Sequence, residues 1–356
     1  MISVAAPYST RLSSQSRVDW IDIARGAAII LVIAHHSMIA ALQIGEIPYF
    51  IEEMNSRFLY DLRMPLFFFC SGLLARWGLN KPLNTIARRR IYPLAWIIVL
   101  WTFVYLVVDH FVHLYPWGGR GYSLHRIAWA PYGNLWFIYA ILFITLTVLF
   151  LKRWTLPVQI GGILLLALLL QMFVVGRLPQ FPDNSFIATI ANYALICFAS
   201  GYWLAPHIIK FYSSMKRTVI VIIFAAAAWT AIELAVLGMG EPDYQLPRIV
   251  TAIPAIVIGV GVARFLSEVR WIAAPLQFSG RRSLELFLLH QIFIAIAFFT
   301  VDSLGIISGT SAMASILIVA IAGTILAERL IAMSGTRHLF FSPPSFGKPF
   351  RALRHA

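Results

Sequence analysis

The chain has 356 residues, 60% of them hydrophobic and 12% charged, with a mean hydropathy of +0.80. Soluble domains carry about 25% charged residues, so a soluble enzyme is excluded, and apolar runs of about 20 residues exclude a β-barrel, whose strands would alternate. A net charge of +13 would suit nucleic acid only as an even basic shell, and the charges are not placed that way.

The fold class expected is an all-α polytopic membrane protein. Residues 1–18 are polar and Ser-rich, and the apolar run after them lacks a small-residue cleavage site, so it reads as a retained span. Ten spans follow, at 20–41, 62–79, 91–112, 133–151, 157–176, 186–205, 217–238, 248–267, 283–301 and 310–333. The second is short, with Arg63 and Pro65 near its start. With the N-terminus placed in the cytoplasm, 21 of the 28 basic residues fall in cytoplasmic segments and five in outer ones; Arg25 and Arg63 lie within spans. That asymmetry supports ten alternating spans with both termini cytoplasmic. It also makes the basic charge topological, facing anionic lipid.

The outer connections carry Glu46, Glu52, Glu53 and Asp61, then His113, Tyr115, Trp117, Tyr122, His125, Trp129 and Tyr132. Such aromatics form either an interfacial belt or a sugar-stacking platform. No repeat and no pair of matching halves is evident. Residues 1–335 are expected to form one membrane domain and 336–356 a basic cytoplasmic tail. Cys70 and Cys197 both fall in apolar runs, which argues against a disulfide or a zinc site.

Five stretches could carry chemistry. The first span holds Asp22, Arg25, His35 and His36. On a helix Arg25 and His36 lie within about 20° of one face and about 16 Å apart, with Asp22 about 40° away and His35 about 100° away. Ionisable groups in a span usually face a bundle interior or a wet cavity. The stripe therefore lines an active site, or it is a helix-end ion pair plus one interior histidine. As a site it suits a long donor such as acyl-CoA: a guanidinium for phosphate at one end, an imidazole at the other.

Arg63-Met-Pro-Leu-Phe-Phe-Phe-Cys-Ser-Gly72 reads as a kinked packing helix or, through Arg63 and Ser71, as a substrate contact. Arg88, Arg89 and Arg90 either anchor the third span or bind donor phosphates. Trp136 and Tyr139 are interfacial anchors or acceptor contacts. In Gly280-Arg-Arg-Ser-Leu-Glu-Leu-Phe-Leu-Leu-His-Gln291, Ser283 reads as an N-cap with Glu285 in the first turn. His290 lies about seven residues into its span, against about sixteen for His36. The two are therefore not expected to touch, and His290 is read as a structural or donor-side histidine ahead of a catalytic one.

Taken together, these stretches resemble the membrane-bound acyltransferase 3 family, which includes bacterial sugar and glycan O-acyltransferases. Arg25-x10-His36 matches that family's signature in its first span. Met64 to Gly72, Leu135-Trp-Phe137 and Gly280 to His290 also have counterparts in it. Ala87 stands where the family has an arginine, with Arg88 or Arg89 as the substitute, and Arg63 replaces a residue that is often His. The resemblance implies acyl transfer, usually of acetyl from acetyl-CoA, to a carbohydrate hydroxyl in the bacterial inner membrane. It implies a His36 base, an Arg25 donor contact paired with Asp22, and CoA phosphates on Arg90 and its neighbours. It implies neither a metal nor a permanently bound cofactor. A sugar transporter or lipid-linked-glycan flippase is the competing reading of the same apolar architecture.

Overall fold

The computed structural model describes residues 18–112, 114, 131–177, 185–238, 248–305 and 307–341. Among these residues there is no strand, and ten helices are long and apolar enough to cross a membrane. The elements in order are α1 (Asp19–Ala41), α2 (Tyr49–Ser56), α3 (Phe58–Leu79) and α4 (Leu83–Ile86), which runs through a π-helical turn, Ala87–Ile91, into α5 (Tyr92–Val112). A 3-10 turn, Gly133–Leu135, leads into α6 (Trp136–Leu151). Next come α7 (Leu156–Arg177), α8 (Ser185–Thr189), a second π turn at Ile190–Ala194, α9 (Leu195–Phe211), α10 (Met215–Gly238) and α11 (Arg248–Leu266). The chain ends its described part with α12 (Arg270–Arg281), α13 (Ser283–Leu304), α14 (Gly309–Met333) and α15 (Arg337–Phe341).

The second span runs further than its apolar stretch indicates. Its helices cover Tyr49–Leu79, broken at Arg57, where φ is −97° and ψ −87°. All the outer aromatics named above except Tyr132 lie outside the described residues. Tyr132 is buried against Tyr105, with ring centroids 6.0 Å apart.

The first helix is the hub. Ile23, Ala24, Ala28, Ile29, Val32 and Ile33 are all buried, and α1 packs on α3, α11, α12, α13 and α14. A helix that is apolar nearly all round belongs in the middle of a bundle. By contrast, α7 and α10 stand at the rim, where Leu164, Leu168, Ile223 and Phe224 are exposed as a lipid-facing surface would be.

Two glycine contacts draw backbones together. A side chain at Gly72 would meet the Phe198 carbonyl oxygen, and one at Gly201 that of Phe69. This crossing locks α3 to α9. Likewise Gly26 lies on the Leu276 carbonyl and Gly280 on that of Asp22, which locks α1 to α12. Without a hydrophobic drive between helices in lipid, such small-residue contacts supply close van der Waals packing.

The first residues of the basic tail fold back onto the bundle. The Trp96 and Trp101 indoles donate to the Leu339 and Phe340 carbonyls at 3.0 and 2.9 Å, and Phe341 stacks on Trp101. Arg337 pairs with Glu285 and lies 3.8 Å from Glu328, which also pairs with Arg282. Glu328 is 1% exposed, and its removal takes the carboxylate from Arg282, while Arg337 keeps Glu285. Glu328→Ala is expected to lower stability by about 2 kcal/mol, less than for a fully buried pair because both arginines reach solvent. Thermal unfolding of the purified protein in detergent reads this, and an unchanged midpoint would show the pair to have no net effect.

Candidate active site

Two cavities open along the seam where α1, α3, α6 and α13 meet. The one at the Arg25 end holds about 220 Å³ and is lined by Arg25, Ser71, Arg90, Leu94, Phe137 and Ser283, among others. The one at the His36 end holds about 150 Å³; its polar walls are His35, His36, Tyr60, Arg63, Asn134 and Tyr193. The stripe read on the helical wheel thus reaches a cavity at each end.

At the first end, Arg25 Nη2 donates to Ser283 Oγ at 2.7 Å, and Arg25 Nη1 lies 3.9 Å from Asp22. Asp22 is buried and is shared with Arg281, whose Nε is 3.3 Å away. Arg90 reaches the cavity from the π turn and leans on α3 at Gly78. A π turn offsets the register of a helix and recurs at functional sites. Two guanidinium groups on one small cavity suit it chemically to an anionic group.

At the second end the partners fix the tautomers. His290 Nδ1 donates to the Phe287 carbonyl at 2.6 Å, which leaves Nε2 as an acceptor. That nitrogen is 3.1 Å from Asn134 Nδ2 and 3.3 Å from His36 Nδ1. The Val32 carbonyl also takes a hydrogen bond from the His36 ring. The contact with His290 Nε2 calls for a proton on His36 Nδ1, so its basic nitrogen is Nε2. Asn134 is held in turn by Gln291 at 3.2 Å, and Gln291 by the Leu114 carbonyl at 2.7 Å. The left-handed φ of +48° at Gly133 turns the chain into the 3-10 turn that presents Asn134.

His35 sits beside His36, ring centroids 5.3 Å apart, and its Nδ1 is 2.9 Å from Asn55 Nδ2. Arg63 Nη1 donates to Asn55 Oδ1 at 2.9 Å, and its guanidinium lies over the Tyr60 ring. The short helix α2 therefore braces this cavity through Asn55.

Several sequence expectations need correction. His36 and His290 touch, because Gly280 rests on Asp22 and α13 begins beside the first turns of α1, deeper than its hydropathy indicates. His290 consequently belongs to the His36 end. Ser283 is a partner of Arg25 and makes no side-chain cap. Ser71 donates to the Phe67 carbonyl and lines the Arg25 cavity, apart from Arg63, which lines the other one. Arg88 and Arg89 are exposed and line neither cavity; of the three arginines only Arg90 does. Tyr139 lines neither cavity and hydrogen-bonds Thr102, tying α6 to α5. Trp136 and Arg63 do line the His36 cavity.

Sequence reasoning missed Tyr60, Asn134, Thr189, Tyr193 and the bracing role of Asn55. Only Asn134 gave a signal, as an amide at the start of an apolar run. Tyr193 is delivered by the second π turn, which leaves no trace in hydropathy.

A family model described as an acyltransferase domain, acyltransferase 3, matches residues 18–329. No curated protein and no solved structure matches the chain. Every residue that lines either cavity falls inside the matched stretch, which takes in most of the 356 residues. The chain is a multi-pass membrane acyltransferase and belongs to the acyltransferase 3 family.

Proposed function

We propose that the chain transfers an acyl group, acetyl in the simplest case, from acyl-CoA to a hydroxyl of a carbohydrate or cell-envelope glycan. The observation that carries this reading is a single helix that offers a guanidinium to one cavity and an imidazole to the next, about 16 Å along. A pantetheine arm is of that length. Arg25 and Arg90 would hold the donor's phosphates, with Asp22 and Ser283 fixing the guanidinium of Arg25.

His36 Nε2 would take the proton from the acceptor hydroxyl as the oxygen attacks the thioester carbonyl. A carbon–oxygen bond forms, the carbon–sulfur bond breaks, and the proton passes to the departing CoA sulfur. His290, held by Asn134 and the Phe287 carbonyl, would keep the His36 ring turned so that Nε2 is the base. Trp136, Tyr60 and Tyr193 offer rings and hydroxyls to a sugar, and Arg63 adds a cation. The excess of Lys and Arg in alternate connections supports an Arg25 end in the cytoplasm, where acyl-CoA is made, with both termini on that side. The resemblance supports a bacterial inner membrane as its setting.

Two experiments test the reading. Mass spectrometry of cell-envelope glycans from a deletion strain should show acyl groups restored by the wild type and not by His36→Ala. Release of CoA from acetyl-CoA by the purified protein separates acyl transfer from transport, since a transporter or flippase releases none. Within that assay, Arg25→Ala is expected to raise the KM for acetyl-CoA about 10- to 100-fold, the worth of a lost charge-assisted contact. Arg25→Lys should fall between, because an ammonium cannot reproduce the planar fork. An unchanged KM in Arg25→Ala would remove Arg25 from donor binding.

A further inference from the structure

The two cavities are separated by a layer of rings. Phe67 and Phe137 line the Arg25 cavity, and Phe287 lines the His36 cavity. Phe137 sits between the other two, its ring centroid 5.0 Å from each. All three side chains are buried. They come from α3, α6 and α13, so no single helix carries the layer. The outer two rings touch the two chemical ends: the Arg25 guanidinium lies 5.6 Å over Phe67, and Phe287 lies 5.6 Å from the His290 ring.

We propose that Phe67, Phe137 and Phe287 form an acyl filter, the specificity-determining element for the group transferred. The proposal rests on the reading of acyl-CoA as donor. A thioester anchored by its phosphates at Arg25 passes these rings on its way to His36. The space opened by their rotation sets how much acyl chain goes through. Rings turn by rotamer changes without moving backbone, whereas the neighbouring glycine contacts hold the helices fixed. The closed layer has a second consequence. Water in the His36 cavity is kept off a waiting thioester, so the competing reaction is suppressed. In that reaction the carbon–sulfur bond breaks, a carbon–oxygen bond to water forms, and a free acid and CoA thiol result.

The test compares the full-length wild type with Phe137→Ala and Phe137→Leu in lipid nanodiscs. The assay measures release of CoA from acetyl-, butyryl- and hexanoyl-CoA, with no acceptor added. Stabilisation by CoA against thermal unfolding is measured alongside. In Phe137→Ala the discrimination among the three chains should flatten by about tenfold or more, the scale on which an apolar pocket weighs added methylenes. Acceptor-independent release should rise by a comparable factor. CoA should stabilise the variant as it does the wild type. Phe137→Leu, which keeps most of the side-chain volume, should move in the same direction by less, and it carries the test if the alanine variant does not fold. Unchanged discrimination and unchanged release in a variant that CoA still stabilises would overturn the filter. A wild type that neither releases CoA from any donor nor is stabilised by CoA would overturn the donor reading, and the filter with it.

Discussion

His36→Ala is expected to lower turnover of acyl-CoA by about a thousandfold or more, the range lost with a positioned general base. The KM for the donor should stay close to wild type, because Arg25 and Arg90, the proposed donor contacts, line the other cavity. The argument rests on the tautomer. His290 spends its Nδ1 proton on the Phe287 carbonyl and so can only accept at Nε2, where His36 Nδ1 and Asn134 Nδ2 converge. His36 is thus oriented by a neighbour that is itself fully buried and fixed. His290→Gln and Asn134→Ala should therefore lower kcat by about 10- to 100-fold, the cost of a misplaced reacting group, with little change in KM. The check is steady-state kinetics on protein shown to be folded by its unfolding midpoint. Full activity in His36→Ala would remove the base; a larger loss in Asn134→Ala than in His36→Ala would move the chemistry elsewhere.

The spans were legible because a membrane demands about 20 apolar residues in a row, and hydropathy reads that directly. Arg25 and His36 were legible for the same reason a helical wheel works: both lie on one helix, so their relation needs no tertiary information. What the sequence hid is depth and register between helices. Nothing in residues 270–290 indicates that Gly280 seats on the Asp22 carbonyl, yet this contact sets how far along α1 the next span begins. The separation of His290 from His36 was misjudged on that account. The π turns at Ala87–Ile91 and Ile190–Ala194 act in the same way. Each shifts the face of its helix by part of a turn, which brings Arg90 and Tyr193 to the cavities and leaves Arg88 and Arg89 outside. Adjacency in a motif likewise does not say which cavity a side chain meets, or whether it meets one: Ser71 lines the Arg25 cavity and Tyr139 lines neither.

Gly280→Ala should set up the closest backbone clash of any glycine-to-alanine change for which the described residues give a contact. Its Cβ would stand 1.7 Å from the Asp22 carbonyl oxygen, and the reciprocal position at Gly26 is 2.0 Å from the Leu276 oxygen. Both obstacles are backbone, so no rotamer relieves them and α12 must part from α1 by more than an ångström. Overpacking of this kind costs about 1–3 kcal/mol. The displacement also acts on the site, since α13 follows α12 after Arg282 alone. Moving α12 draws Ser283 away from Arg25, whose 2.7 Å hydrogen bond has little slack. Gly280→Ala is therefore expected to lower the unfolding midpoint and to raise the KM for acyl-CoA together. Gly161→Ala on the rim helix α7 supplies the contrast. A Cβ there meets nothing within 4 Å, so the change should leave the KM alone and raise stability by up to about 1 kcal/mol, from helix propensity. Thermal unfolding and donor KM measured on both variants decide the matter. A Gly280→Ala protein with wild-type values of each would mean that the α1–α12 contact does not set the position of Arg25.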